Sequence, residues 1–187
     1  MQRMTSLPGD RRSAEERRSD LGRDLVSAAY LRGEFILSSG LKSSYYFDKY
    51  LFETKPGILR RVALWLAGMI PPDTDRLAGP ELGAVALTTA VSLETGLPFV
   101  IVKKQAKAYG TSRPVEGELY PGERVTIIED VLTTGGEAIR AAQTVSGAGA
   151  GVLMILAVID REQGAHENIV AAGFQARALY SKTDLGL

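Results

Sequence analysis

Residues 125–137 read Val-Thr-Ile-Ile-Glu-Asp-Val-Leu-Thr-Thr-Gly-Gly-Glu, and they contain the clearest fold signal in the chain. Its first four residues are apolar or β-branched, which is typical of a strand buried on both faces of a parallel sheet. Two adjacent acids, Glu129 and Asp130, follow that strand, and a Thr-Gly segment leads into a helix from Gly135 to about Val145. The stretch therefore predicts a strand, a ligand-binding loop and a helix in succession.

Strand and helix patterns alternate on both sides of this stretch. Strands are predicted at 76–78, 99–103, 124–128, 152–159 and 175–180, and helices at 84–95, 135–145 and 165–172. A long polar connection is predicted at 105–121. Strands joined by helices form βαβ units with parallel strands. The predicted fold class is therefore α/β, a parallel sheet with helices on both faces.

The N-terminal part of the chain is expected to lie outside this sheet. Residues 1–19 are rich in charged and small polar residues and are predicted to be a disordered tail, although 13–18 could form a short polar helix. Residues 20–187 are predicted to be one domain. Within it, the spacing of apolar residues predicts a helix from Asp20 to Gly33, followed by short strands at 35–37 and 45–47.

The composition excludes several classes of function. The chain has 187 residues with no Cys and one His, which removes disulfides, thiolate nucleophiles and cysteine zinc sites. Its 22 Lys and Arg balance 22 Asp and Glu, so general attraction to nucleic acid or an acidic membrane is not expected. We find no apolar run of membrane-spanning length and no apolar core of a signal peptide, so we expect a cytoplasmic protein.

The loop after the central strand suits a phosphorylated sugar. Backbone amides and hydroxyls beside a helix N-terminus bind phosphate. Glu129 and Asp130 would repel a phosphate, but carboxylates accept hydrogen bonds from the vicinal hydroxyls of a ribose, and a divalent ion could bridge to the ligand. The residues alone leave a second interpretation open, in which the acids only end a strand and the threonines only cap a helix.

The order of residues in 125–137 resembles the phosphoribosyl pyrophosphate (PRPP) motif of the type I phosphoribosyltransferases. Three other segments resemble the orotate-specific members of that family. Residues 103–111 resemble the mobile catalytic loop, 35–48 the base-site segment and 160–164 the Asp-Arg loop. The resemblance covers about 24–182, and it implies the type I phosphoribosyltransferase fold. A small N-terminal hood would be built from about 20–50 plus the C-terminal strand.

The resemblance also implies a reaction and its partners. The chain would transfer a phosphoribosyl group from PRPP to orotate, giving orotidine 5′-phosphate and pyrophosphate in pyrimidine (UMP) biosynthesis. Mg²⁺ would be the cofactor, bound mainly through the substrate, with Asp130 as a candidate protein ligand. The resemblance further implies a homodimer in which part of the catalytic loop reaches the neighbouring subunit's site.

The implied site residues fall into three groups. The PRPP-binding group is Glu129, Asp130, Val131, Leu132, Thr133, Thr134, Gly135, Gly136 and Glu137. The catalytic group, which would close on the pyrophosphate, is Lys103, Lys104, Lys107 and Tyr109. The orotate-binding group is Thr133, Arg161, Tyr46 and Phe47. In the last group, the guanidinium of Arg161 could bind a carboxylated pyrimidine through paired hydrogen bonds.

Four positions depart from the family pattern. Ser38 and Leu82 stand where many members have lysines, Tyr109 where a histidine often occurs, and Glu137 where Ser or Thr is common. We expect the Glu137 carboxylate to point away from the phosphate. Lys49 could be functional or simply solvated. Two other functions stay open, namely a phosphoribosyltransferase for another nucleobase and a non-catalytic PRPP-binding regulator.

Overall fold

The structure is a computed structural model that describes residues 10–36, 42–104 and 114–187. The strands are β1 (Tyr30–Ile36), β2 (Lys42–Phe47), β3 (Arg76–Pro80), β4 (Phe99–Val102), β5 (Val115–Glu116), β6 (Arg124–Leu132), β7 (Gly151–Asp160) and β8 (Ala176–Ser181). The helices are α1 (Ala14–Ala29), α2 (Tyr50–Glu53), α3 (Pro56–Met69), α4 (Gly83–Thr95), α5 (Gly136–Gly147) and α6 (Ala165–Ala171). A 3-10 turn at Thr183–Leu185 follows β8.

Six strands form the central sheet in the order β5-β4-β3-β6-β7-β8. All neighbours are parallel except the edge pair β4 and β5, which is antiparallel. The predicted α/β class with a mostly parallel sheet is confirmed. The antiparallel edge was not predicted, because the two residues of β5 lie within the stretch interpreted as a polar connection. Val115 pairs with Val102 there and is buried.

Helices cover both faces of this sheet, as predicted. One apolar core lies against α1, α3 and α4 and includes Ile128, whereas the other lies against α5 and α6 and includes Ile127. Successive side chains of a strand point to opposite faces, so these neighbouring isoleucines reach different cores. In the part of the chain that the structure describes, no helix is both long and apolar enough to cross a membrane.

Strand β6 is longer than its apolar pattern indicated. The sequence predicted its end at Ile128, with the two acids directly after it, and this boundary was wrong. Glu129 is paired with Ala157 and Val131 with Ile159 of β7. Because β7 continues to Asp160, it supplies backbone partners that keep β6 extended to Leu132. The two acids therefore lie inside the sheet rather than beyond it.

Helix α1 begins earlier and ends earlier than predicted. Residues 14–19, assigned to the tail, are helical because the Ser13 side chain accepts a hydrogen bond from the Glu16 amide and the Glu16 side chain accepts one from the Ser13 amide. The helix ends at Ala29 because Tyr30 and Leu31 pair with β2 as the first residues of β1. Residues 1–9, the rest of the predicted tail, lie outside the described residues.

The hood differs from the prediction in its composition. Strands β1 and β2 form a separate two-stranded antiparallel sheet, but the C-terminal strand does not join them. Strand β8 pairs in parallel with β7, because α6 returns the chain to the same edge of the sheet. Helix α1 also belongs to the core, where Leu21 and Leu25 are fully buried.

Candidate active site

The loop between β6 and α5 forms a small cradle at the carboxyl edge of the sheet. Gly135 has a φ of 83°, and a Cβ there would lie 3.1 Å from Ile169 Cγ1 and 3.2 Å from the Ala165 carbonyl oxygen, so glycine is required. Helix α5 begins at Gly136 with no side-chain cap, which leaves its first amides available to an anion. The cradle encloses about 260 Å³ and is lined by Lys49 and residues 129–138.

The two acids beside the cradle are almost completely buried. Glu129 is 6% exposed and Asp130 is 1% exposed. Glu129 Oε1 accepts a hydrogen bond from the Asp130 amide at 3.1 Å, whereas Glu129 Oε2 has no hydrogen-bond partner among the described residues. Burial, together with the charge of Asp130, raises the pKa of Glu129 well above its usual range. A buried acceptor without a partner is ready for a ligand hydroxyl or a cation.

Lys49 places a cation beside the carboxylate cluster formed by Glu129 and Asp130. Its Nζ lies 2.5 Å from Asp130 Oδ2. Burial by itself would lower the pKa of Lys49, but the charges of Asp130 and Glu129 outweigh burial and raise that pKa, so the ammonium stays protonated. Of the two roles that the sequence left open, the fully solvated one is excluded, because the lysine is paired inside the pocket.

Glu53 is a further acid at this site that sequence reasoning missed. Its side chain is 4% exposed, and its Oε1 has no partner within the described ranges. Burial, and then the charge of Asp130, raise the pKa of Glu53 to about 8. An acid in a four-residue helix usually faces water, so the sequence carried no signal that α2 turns this side chain inward.

A larger pocket of about 1000 Å³ adjoins the cradle and contains the predicted base-binding residues. Its lining includes Thr133, Arg161, Tyr46 and Phe47. Arg161 Nη2 donates a hydrogen bond to the Tyr45 hydroxyl at 3.2 Å, and this hydrogen bond is the largest influence lowering the pKa of Tyr45. The fold thus brings the four predicted orotate-binding residues to one pocket beside Glu129 and Asp130.

The first two predicted catalytic lysines are held at the end of β4 in different ways. Lys103 is buried, and its Nζ donates a hydrogen bond to Glu116 Oε1 at 2.8 Å. Lys104 is exposed, and its backbone amide donates to Glu81 Oε1 at 2.6 Å. Neither lysine lines the cradle or the base pocket. Lys107 and Tyr109, and also Ser38, lie outside the described residues.

Glu137 connects the cradle to these lysines. Its Oε2 accepts a hydrogen bond from Arg140 Nη2 at 3.1 Å, and its Oε1 lies 3.7 Å from Lys104 Nζ. Arg140 Nη1 also donates to the Lys103 carbonyl oxygen at 2.8 Å. The carboxylate is therefore neutralised by two cations. Sequence reasoning missed Arg140, whose contact with the distant backbone carbonyl of Lys103 carries no sequence signal.

The carboxylates of the cluster fit a magnesium ion by their chemistry. Mg²⁺ prefers oxygen ligands and keeps much of its coordination for water and substrate phosphates. Asp130 and Glu129 offer such oxygens, and one Glu129 oxygen is unpaired. Within 10–36, 42–104 and 114–187 no group of three or more acidic, His or Cys side chains is arranged to hold a metal. Asp130 and Glu129 are residues that would contribute oxygens to such an ion.

Comparison with known proteins decides the family. No protein-family model matches the chain. Orotate phosphoribosyltransferase from Thermococcus gammatolerans is 46% identical over 153 residues, which are 80% of this chain and 81% of the relative. The enzyme of the same name from Halobacterium salinarum is 47% identical over 167 residues, 87% of this chain and 95% of the relative. The chain belongs to the orotate phosphoribosyltransferase family.

A solved structure of that family has the same fold. The Mycobacterium tuberculosis orotate phosphoribosyltransferase in complex with PRPP superposes with a TM-score of 0.78 and 29% sequence identity, covering 91% of this chain and 99% of that chain.

Proposed function

We propose that this site transfers the 5-phosphoribosyl group from PRPP to orotate. The observation that carries the proposal is a pair of buried carboxylates in the cradle, of which Asp130 also lines the larger pocket beside it, all at one edge of the sheet. In the reaction, the bond from the ribose anomeric carbon to the pyrophosphate oxygen breaks, and a bond from that carbon to a ring nitrogen of orotate forms. The products are orotidine 5′-phosphate and pyrophosphate.

The cradle and the acids would hold the sugar phosphate. Backbone amides of 133–137 would bind the 5′-phosphate at the start of α5, where the helix dipole favours negative charge. Glu129 and Asp130 would accept hydrogen bonds from the ribose hydroxyls, and Val131 and Leu132 would contribute backbone. These groups fix the anomeric carbon at the junction of the two pockets.

The base pocket would orient the nucleophile. Arg161 would pair with the orotate carboxylate, because a guanidinium presents two parallel donors. Thr133, Tyr46 and Phe47 would enclose the ring. Phe47 is buried against Phe52, with ring centroids 6.2 Å apart, so it supports one side of the pocket rigidly.

The leaving pyrophosphate would be stabilised by cations. Lys103, Lys104 and Lys107, with Tyr109, would close on it and exclude water from the oxocarbenium-like transition state. Closure would require Lys103 to leave Glu116, and Lys104 to leave Glu137. Mg²⁺, bound through PRPP with Asp130 as the candidate protein ligand, would neutralise negative charge on the pyrophosphate.

The proposal includes a homodimer with shared active sites and a cytoplasmic location, both taken from the family resemblance. Mixing inactive Lys107→Ala subunits with inactive Glu129→Gln subunits tests the dimer. If a loop from one subunit serves the other's site, mixed dimers regain part of the activity, because one site contains both intact residues. Activity that stays absent in mixed dimers would contradict shared sites.

One assay tests the reaction. Purified protein with PRPP and Mg²⁺ should consume orotate, followed by the loss of its absorbance, and should not consume uracil or hypoxanthine. Removing Mg²⁺ with EDTA or introducing Lys107→Ala should abolish most of the turnover. Turnover with uracil or hypoxanthine alone would assign a different nucleobase, and tight PRPP binding without turnover would assign a non-catalytic regulator.

A further inference from the structure

Lys49 lies at the junction between the phosphate cradle and the base pocket. Among the described residues, five line both pockets, and Lys49 is the cation of this group; the others are Asp130, Val131, Thr133 and Thr134. Lys49 follows β2 and immediately precedes α2, so the small N-terminal sheet carries it into the site. The PRPP, catalytic and base-binding groups described above do not include this lysine.

The Lys49 ammonium lies beside the start of α4, where Gly83 has no side chain to displace it. Its Nζ lies 2.5 Å from Asp130 Oδ2, and a Cβ on Gly83 would overlap both atoms. Gly83 is the first residue of α4, so the ion pair lies directly against that backbone. The absence of a side chain at Gly83 leaves room for the ammonium to stay at the junction.

The Lys49 side chain can change partners. It is 33% exposed, compared with 2% for Asp130, and its four-carbon stem is flexible. Asp130 Oδ2 is the atom that the ammonium neutralises in the free protein. When ribose hydroxyls donate hydrogen bonds to that carboxylate, its ion pair with the Lys49 ammonium is weakened. The ammonium remains charged and is then able to pair with another anion.

The anomeric carbon, which bears the pyrophosphate, is bonded to the carbon of one hydroxyl of the ribose diol. A cation within hydrogen-bond distance of the carboxylate that holds this diol is therefore within reach of the pyrophosphate. We propose that Lys49 is a catalytic residue whose ammonium moves from Asp130 to the pyrophosphate of PRPP when the ribose occupies the site. This inference rests on the proposed transfer reaction.

The chemical step needs no proton from Lys49. As the bond from the anomeric carbon to oxygen breaks, the electron pair remains on the pyrophosphate oxygen, and the ammonium donates hydrogen bonds to that growing negative charge. The same movement leaves Asp130 free for the ribose hydroxyls. Lys49 thus links recognition of the sugar to stabilisation of the leaving group.

The test compares ligands that contain pyrophosphate with one that does not. In Lys49→Gln, we expect the Kd of PRPP and the KM of pyrophosphate in the reverse reaction to rise about 10- to 100-fold, as for a lost charge-assisted hydrogen bond. The Kd of orotidine 5′-phosphate, which has the same ribose and 5′-phosphate, should change less than about twofold. Lys49→Arg should restore part of the pyrophosphate affinity.

Lys55→Gln is the matched control, since Lys55 is an exposed lysine on the same segment and lines neither pocket. It should leave all three constants unchanged. An equal rise for PRPP and orotidine 5′-phosphate would show that Lys49 acts only by supporting Asp130, and no rise for pyrophosphate would exclude the contact; either result overturns the inference. If Lys49→Gln does not fold, Lys49→Met keeps the aliphatic stem and is judged by the same ratio. Failure of the proposed reaction itself would appear separately, as no orotate turnover by the unaltered protein.

Discussion

The amino and carboxyl edges of the central sheet each contain a glutamate, and the two glutamates differ in hydrogen bonding and in the direction of their pKa shifts. At the amino edge, Arg76 donates two hydrogen bonds to Glu123, at 2.7 and 2.8 Å, and the hydrogen bond lowers the pKa of Glu123. At the carboxyl edge, burial raises the pKa of Glu129, and one of its oxygens has no partner within the described residues. The same residue type is thus satisfied at one edge and unsatisfied at the other.

This difference distinguishes a charged side chain that stabilises the fold from one that is able to bind a ligand. A buried charge with complete hydrogen bonds leaves no capacity for a ligand, whereas an unpaired buried carboxylate carries a free-energy cost that only a ligand or proton relieves. The ion pair at the amino edge is therefore expected to stabilise the fold, whereas the unpaired carboxylate oxygen at the carboxyl edge can still bind a ligand. Matched Glu→Gln substitutions at the two edges test this interpretation.

Glu129→Gln should give the largest effect on activity. The amide keeps the size of the side chain but removes the anionic acceptor for the ribose, so kcat/KM for PRPP should fall about 100-fold. The midpoint of thermal unfolding at pH 8 should not fall, because the substitution removes an unfavourable buried charge. Steady-state kinetics and calorimetry on the same sample measure both. A variant that is destabilised but fully active would assign Glu129 a structural role.

Glu123→Gln should have the opposite profile. Arg76 is buried and loses its charged partner, so the free energy of unfolding should fall by about 2 kcal/mol. Activity per folded molecule should stay within about twofold, because the pair lies at the edge away from the cradle. Urea unfolding, together with assays well below the transition, checks both quantities. A large loss of kcat would show that the amino-edge pair also contributes to activity and would contradict the comparison.

Glu53 extends the comparison to the effect of pH. Its pKa is about 8 in the folded protein and 4.5 in its ordinary state, so the folded chain keeps a proton that the unfolded chain loses between those values. Stability should therefore fall as the pH rises from about 4.5 to 8. Glu53→Gln should reduce the difference in unfolding midpoint between pH 5 and pH 8 by about 7–14 °C.

The matched control for Glu53 is Glu118→Gln, at a position outside the two pockets. It should leave the difference between pH 5 and pH 8 unchanged, and measurements in EDTA avoid any metal effect. The pKa of Glu129 is also raised, so some dependence of stability on pH should remain in Glu53→Gln. An unchanged difference in that variant would show that Glu53 is ionised in the folded protein.

Glu137→Gln should give the smallest effect. Its carboxylate is more than half exposed, and exposed ion pairs contribute at most about 1 kcal/mol. Weakening its pairs with Arg140 and Lys104 should change kcat/KM by less than about fivefold, with a weaker effect at high salt. Kinetics at two ionic strengths measure it. A change as large as that of Glu129→Gln would place Glu137 among the substrate-binding groups.

Much of the fold could be predicted because its signals are local. The apolar run of β6, the Thr-Gly loop and the apolar stripe of α5 lie within one short stretch, and their order alone indicates a βα unit at a ligand-binding edge. The errors occurred where a distant strand decides the outcome. β6 continues through Glu129 because β7 pairs with it. β8 was predicted to join the hood, but α6 returns the chain to the main sheet, where β8 pairs with β7.

Local sequence was sufficient to predict the α/β class, the PRPP motif and Glu129 and Asp130 as candidate ribose ligands, because periodicity and residue chemistry are properties of neighbouring residues. The electrostatics of the site depend on the tertiary structure. Lys49, Glu53 and Asp130 lie in different parts of the chain. The ion pair between Lys49 and Asp130 and the raised pKa values of Lys49 and Glu53 exist only after the small N-terminal sheet and α2 pack against the end of β6. Electrostatic energies depend on distance in space and on burial, and neither quantity is written in the order of residues.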